Sequence, residues 1–380
     1  MIFQRFVILY KEDLQNKLQK SIFKLVNPDD MKTHNDERLF NDERDIMKAL
    51  VLTGVKQFEI QDLETPEIKD DEVLINTAYA GVCGTDHDLY AGRPGSAAAV
   101  PPIVLGHENS GIVAAIGSNV TNVAVGDRVA VDPNIYCGQC EYCLTQRPEL
   151  CEHLSAVGVT RDGGLEEQFT APASVVYKLP DNVSLRDAAA IEPVSCAVHG
   201  LDLLNLRPYQ KALVIGDGFM GQIFAQLLQA YGVHQVDLAG IFDDKLQRNK
   251  ELFGVTETYN TTKESIPSNA YDVIIEAVGL PQTQAQAIEA AKKGAQVLMF
   301  GVGPQDAHFE MNTYDIYKKQ LTIQGSFINP LTFRDAISLV SSGKMNIGGL
   351  ISHELELEQV QDFLDGKISG VSKAVVKVGA

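Results

Sequence analysis

Lys211-Ala-Leu-Val-Ile215 runs straight into Gly216-Asp217-Gly218-Phe219-Met220-Gly221 and then into QIFAQLLQAYG. The first five residues are mainly apolar and read as a strand covered on both faces. After the glycines, apolar residues return at Ile223, Leu227 and Leu228, the spacing of a helix with one buried side. A G-x-G-x-x-G between such a strand and such a helix permits a tight turn. It also lets the backbone approach a pyrophosphate held at the helix N-terminus. Gly216, Gly218, Phe219, Met220 and Gly221 are therefore candidate cofactor contacts. Downstream, QVDLAGI, DKLQRNKELFG, YDVIIEAVG, TQAQAIEAAKKG and AQVLMFGVG alternate strand and helix patterns. That alternation predicts a parallel, doubly wound sheet of Rossmann type over residues 199–327. TQAQAIEAAKKG is read as helix throughout.

The second strand, Gln235-Val-Asp-Leu-Ala239, closes on Gly240, where an acidic residue usually meets the adenosine ribose. Gly240 brings no carboxylate to repel a 2′-phosphate. Asp243 and Asp244 follow, and Lys245 and Arg248 lie one turn on. The sequence therefore leans slightly toward NADP or dual use, with NAD close behind.

Upstream the chain changes character. Residues 47–198 carry short strands such as VLINTAYAGV, SGIVAAIG and DRVAV between Gly, Pro, Asn and Asp turns, and read as mostly β. MKALVLTGVKQFEIQDLE suggests two strands about a turn at Gly54. Residues 328–380 return to a mixed pattern: helices at TFRDAISLVSSG and LEQVQDFLDG, then a last strand at KAVVKV. That strand has no βαβ partner in sequence and is expected to rejoin the first domain. Residues 1–46 are densely charged, with room for one short amphipathic helix from Leu14 to Leu25. Glu43-Arg44-Asp45 can be encoded as GAA-AGG-GAT, which resembles a bacterial ribosome-binding sequence before Met47. The expectation is that residues 1–46 are not native, or form a poorly packed arm.

Composition narrows the function. The 380 residues are 45% hydrophobic and 22% charged, with 32 Lys plus Arg against 50 Asp plus Glu, a net charge of −18. So acidic a chain has no general attraction for nucleic acid or an anionic membrane surface. No apolar run approaches the length of a membrane span, and the start makes no convincing targeting signal. The expected location is the cytoplasm.

Four of the six cysteines, Cys137, Cys140, Cys143 and Cys151, crowd into fifteen positions as C-x2-C-x2-C-x7-C. Four thiolates complete a tetrahedral zinc shell with no open position, which is a structural site. A second set is dispersed: Cys83 in GVCGTD, His107 and Glu108 in LGHENSG, Glu192 in IEPVSCAVHG. One thiolate, one imidazole and one carboxylate leave a fourth position open, the pattern of a catalytic zinc. Cys196 reads as helix packing near that site.

Together GHENSGIVAAIG, the four-Cys lobe, VGDRV and GDGFMG resemble the zinc-dependent medium-chain alcohol dehydrogenases, over essentially all of residues 47–380. EPVSCAVHG and GSFINP are most similar to the sorbitol and polyol dehydrogenase branch, while CGTDHD is also similar to microbial glucose dehydrogenases. The resemblance implies a GroES-like catalytic domain, a Rossmann domain inserted before the C-terminal segment, and homodimers or homotetramers. It implies Cys83, His107 and Glu108 as catalytic-zinc ligands, with Glu192 holding the zinc's water or replacing Glu108. It also sets Ala277-Val278-Gly279 and Gly301-Val302 beside the nicotinamide. The implied reaction interconverts a secondary alcohol, a polyol or sugar alcohol, and a ketone with NAD or NADP. Thr85 matches the family's relay hydroxyl. The relay's usual last member is a His five residues past the zinc Cys; here that position is Asp88, with His87 beside it. In animal sorbitol dehydrogenases an Arg-Tyr pair contacts polyol where this chain has Ile328 and Asn329. The alternatives are threonine or glucose dehydrogenation, or an inactive, zinc-stabilised nucleotide-binding protein.

Overall fold

The computed structural model describes residues 46–379. The expected helix at Leu14–Leu25 and the origin of residues 1–46 lie outside the described residues, apart from Ile46, which opens the first strand.

Six parallel strands form the later sheet, in the spatial order Thr258–Asn260, Gln235–Gly240, Lys211–Ile215, Tyr271–Glu276, Ala291–Met299, Thr322–Gly325. Numbered along the chain, that order is 3-2-1-4-5-6, the doubly wound arrangement in which ligands bind where the order reverses. Ala212, Leu213 and Val214 are wholly buried, as expected of a parallel strand covered by helices. The helix Phe219–Ala230 buries Ile223, Phe224, Leu227 and Leu228. Phe224 meets Phe300 edge-on, 4.7 Å between ring centroids.

One reading needs correction. The helix Pro281–Ala290 stops four residues short, and the strand Ala291–Met299 takes AKKG. Ala291 already pairs with Tyr271, and Gly294 adopts φ +78°, incompatible with a continuing helix.

The earlier residues build a largely antiparallel sheet in the order Val176–Lys178, Arg128–Val131, Glu108–Ile116, Glu72–Val82, Ala374–Lys377, His353–Leu355. Gln168–Pro172 adds to Glu72–Val82. A three-stranded sheet built on the hairpin Ile46–Gly54 and Gln57–Glu64 lies apart from it in pairing. The strand Ala374–Lys377 pairs antiparallel with Glu72–Val82, so the end of the chain returns to the first sheet. The helix Ile191–Asp202 runs unbroken across residues 198 and 199, where the sequence changes character. Its Ile191, Val194, Ala197, Val198 and Leu201 share one core with Val214 and Val273 of the parallel sheet and Val375 of the last strand. This common core fixes the two sheets against each other. Among the described residues no helix is long and apolar enough to cross a membrane.

Candidate active site

The strand Glu72–Val82 delivers Cys83 to the N-cap of the short helix Gly84–Tyr90. There the sulfur accepts the Thr85 amide at 3.4 Å, and the Cys83 amide donates to Asp86 Oδ2 at 2.8 Å. His107 and Glu108 stand at the start of the neighbouring strand Glu108–Ile116. Pairing of Gly81 with Glu108 brings the two segments side by side. A Cβ on Gly81 would lie 1.9 Å from Glu108 Oε2, so only glycine leaves room for that carboxylate. One donor atom from each of Cys83, His107 and Glu108 lies within 4.8 Å of the others. Glu108 is wholly buried, and its Oε1 has no hydrogen-bond donor. A sulfur, an imidazole and an undonated carboxylate oxygen, converging out of water, fit a zinc ion.

Motif reading missed three buried charged residues, and two of them, Asp86 and Lys373, touch this group. Asp86, 1% exposed, turns Oδ1 toward His107 Nδ1 at 3.4 Å. Burial works to raise its carboxyl, but the His107 ring and the Cys83 amide hold it below the ordinary value. Lys373, 4% exposed, pairs with Glu108 Oε2, donates to the Val82 carbonyl at 3.1 Å, and lies 4.9 Å from the Phe219 ring centroid. Asp132 is buried near Glu192; burial first, then the Glu192 charge, pushes its carboxyl up to about 7, against the restraint of the Asn134 amide. The Cys-x-x-Asp spacing was a usable signal for Asp86. Lys373 lies 265 residues from Glu108 in sequence, and nothing local announces it.

Glu192 opens the helix Ile191–Asp202 and is 8% exposed. Burial raises its carboxyl, and neighbouring His107 lowers it while Glu108 raises it. Cys196, one turn on, donates to Glu192 Oε1 at 3.1 Å, so it anchors that carboxylate as well as packing. Asn329 turns inward. It donates to Ser195 Oγ at 2.6 Å and accepts from Asn134 at 2.6 Å, with no exposure. Ile328 before it takes φ +48°, an uncommon conformation for a β-branched residue. The Tyr136 hydroxyl is buried without a partner among the described residues, within electrostatic reach of Asp132 and Cys196.

The relay candidates separate. Thr85 shares the helical turn of Cys83. Asp88 is clamped by Arg93, with Oδ1 at 2.9 Å from Nε and 2.6 Å from Nη2. His87 stacks edge-on to Phe363 at 5.3 Å, and burial lowers its pKa against the pull of Asp86 and Asp88.

At the parallel sheet, Gly216 adopts φ +127°, and a Cβ on Gly221 would stand 1.8 Å from the Gly216 carbonyl oxygen. Gly218 is different: a Cβ there meets nothing within 4 Å. Phe219 and Met220 are half-buried at the head of the helix. The loops after the fourth and fifth strands touch, since a Cβ on Gly301 would lie 2.1 Å from the Gly279 nitrogen. Val278 and Val302 stay exposed beside them, at 38% and 86%. Glu276, fully buried, accepts the amides of Val278 and Gly279 at 2.9 Å and the Thr283 hydroxyl at 2.7 Å, fixing the first loop. At Gly240 the space is taken by Asp217.

The sulfurs of Cys137, Cys140, Cys143 and Cys151 also lie within 4.8 Å of one another. The amides of Cys140 and Cys137 donate to Cys137 and Cys151 at 3.3 and 3.4 Å. Backbone donation from Cys143 and Glu152 lowers the Cys140 thiol to about 6. Four convergent sulfurs with amide support suit a structural zinc.

A metal-type donor group beside a doubly wound sheet with a glycine-rich turn defines a class, the pyridine-nucleotide oxidoreductases that use a metal. Within that class the chain belongs to the zinc-dependent medium-chain dehydrogenases. Residues 69–181 match the alcohol dehydrogenase GroES-like domain, and residues 220–342 match the zinc-binding dehydrogenase domain. D-arabinitol dehydrogenase 1 of Uromyces fabae is 32% identical over 84% of this chain and 93% of its own length. D-xylulose reductase A of Aspergillus oryzae is 31% identical over 82% of this chain and 91% of its own. A zinc-binding dehydrogenase of Sinorhizobium meliloti bound to NADP superposes with TM-score 0.84 at 33% identity, covering 88% of this chain and all of that one. Galactitol-1-phosphate dehydrogenase from Escherichia coli superposes with TM-score 0.78 at 29% identity, covering 87% of this chain and all of that one.

Proposed function

We propose that the chain interconverts a polyol and its ketose with NAD(P). Cys83, His107 and Glu108 would hold a catalytic zinc, and Cys137, Cys140, Cys143 and Cys151 a structural one. The observation that carries this reading is the convergence of the Cys83, His107 and Glu108 donor atoms within 4.8 Å. When bound, zinc supplies Lewis-acid polarisation of the alcohol oxygen, and the nicotinamide supplies the hydride acceptor.

The chain's own residues do the rest. Asp86 orients the His107 ring through Nδ1, leaving Nε2 for the metal. Glu192, held by Cys196, stands ready to orient water at the site or to replace Glu108, which Lys373 can draw away. Thr85 takes the alcohol proton. His87 is the better last acceptor, because Arg93 already occupies Asp88. The unpartnered Tyr136 hydroxyl and the buried Asp132 carboxyl favour a substrate with several hydroxyls, and Asn329 is spent on the protein. The Gly216–Gly221 turn would hold the pyrophosphate, and Val278, Gly301 and Val302 would flank the nicotinamide. The names of the relatives favour polyols over threonine or glucose. We place the work in the cytoplasm and expect a homodimer or homotetramer.

The test is absorbance at 340 nm with D-arabinitol and NAD or NADP, and with D-xylulose and the reduced coenzymes, galactitol 1-phosphate being the phosphorylated comparison. Turnover of a polyol–ketose pair is expected; turnover of threonine or glucose alone would overturn the polyol reading.

A further inference from the structure

The acid that Gly240 lacks is supplied from the glycine-rich turn. Asp217, second residue of the glycine-rich turn, is 7% exposed and reaches across to the end of the second strand. A Cβ on Gly240 would lie 2.4 Å from Asp217 Oδ2 and 2.5 Å from its Cβ and Cγ. The carboxyl group therefore occupies the space that a side chain at position 240 would fill. Asp217 Oδ2 accepts the amides of Ile241 and Phe242, each at 2.8 Å. These are the first two backbone donors past the strand end, and neither is left for an incoming anion.

We propose that Asp217 is a coenzyme-specificity residue, which binds the adenosine ribose diol of NAD and disfavours the 2′-phosphate of NADP. The inference rests on reading this sheet as the dinucleotide site. Among the described residues only Oδ2 of this carboxylate takes a hydrogen bond, so Oδ1 can accept from a ribose hydroxyl. A phosphate would meet the same carboxylate as a like charge. The nearby cations do not offset it. Arg248 donates to the Gly349 carbonyl, Lys250 pairs with Glu257 at 3.1 Å, and Lys263 pairs with Asp243. Lys245 lies over the Phe242 ring, 4.7 Å from its centroid. Ile241 and Phe242 are exposed at 52% and 48% and add an apolar wall where a phosphate would need donors. The sequence lean toward NADP rested on Gly240 with Lys245 and Arg248 one turn on, without the neighbour that fills the space at Gly240.

The test is calorimetric titration of the zinc-loaded full chain with NADH and with NADPH, in the absence of substrate. Asp217→Asn keeps an oxygen for the two amides, removes the charge and replaces the ribose-facing acceptor with an amide donor. Asp217→Ala removes oxygen and charge together, so Asp217→Asn carries the test if the alanine variant fails to fold. Wild type should bind NADH at least about tenfold more tightly than NADPH. Asp217→Asn should shrink that ratio about tenfold, mainly by tightening NADPH. Equal affinities in wild type, tighter NADPH, or an unchanged ratio in Asp217→Asn would overturn the assignment. Failure of wild type to bind either dinucleotide would instead overturn the dinucleotide reading itself.

Discussion

Asp86 Oδ1 lies 3.4 Å from His107 Nδ1, and both side chains are almost wholly out of water. The same aspartate takes the Cys83 amide through Oδ2. One carboxylate thus sets the direction of an imidazole and the cap geometry of a thiol from segments 24 residues apart. Asp86→Ala should weaken zinc at this site about 10- to 100-fold. The zinc at the four cysteines should be untouched. Zinc retained against a graded chelator, counted by mass spectrometry, checks this; an unchanged chelation curve would refute it.

The four-cysteine lobe should behave independently. Cys140→Ser should lower the bound zinc by one ion per chain and the melting temperature by about 5 °C or more. The remaining zinc should still support whatever turnover the folded fraction shows. Loss of both ions together would argue against two separate sites.

The glycines of the turn make a sharper pair. Gly221→Ala forces a backbone collision at 1.8 Å and should cost about 1–3 kcal/mol of stability as well as dinucleotide affinity. Gly218→Ala meets nothing within 4 Å and should leave stability within about 0.5 kcal/mol. It should nevertheless weaken NADH binding at least about tenfold, because the ligand, not the protein, needs that space. Urea unfolding and titration on the same two variants separate the cases. Full affinity in Gly218→Ala would move the pyrophosphate elsewhere.

How much of this was legible beforehand depends on where the determinants sit. The strand–glycine–helix run at Lys211–Ala230 and the cysteine spacing are local, so the sheet and both donor groups could be read from the sequence. The Asp217–Gly240 relation joins residues 23 apart across a helix and a strand, and Lys373 meets Glu108 only after the last strand has returned to Glu72–Val82. Asn329 looked like a pocket position and proved to be tied to Ser195 and Asn134. Each of these depends on packing between distant segments, which periodicity and spacing do not encode.

Glu166 offers a pH test of a buried acid. It is 2% exposed, and burial, then Asp162, pushes its carboxyl up to about 9. Between 4.5 and about 9 the unfolded chain has released this proton while the folded chain retains it. Stability therefore falls as pH rises through that window, and the penalty is absent below it. Glu166→Gln should be more stable than wild type by up to about 5 kcal/mol at pH 8, the gain shrinking toward zero near pH 4.5. Urea unfolding at both pH values checks it; a gain independent of pH would refute the cause.

The central claim is that the zinc at Cys83, His107 and Glu108 does the chemistry. Wild type and Cys83→Ser, each assayed for zinc content, should be followed at 340 nm with D-arabinitol and with D-xylulose. The account predicts turnover of a polyol–ketose pair by wild type. It predicts loss of at least about a thousandfold in Cys83→Ser, which keeps its cysteine-lobe zinc and its fold. Undiminished turnover in Cys83→Ser, or silence from wild type carrying both zinc ions across the polyol pairs, would contradict it.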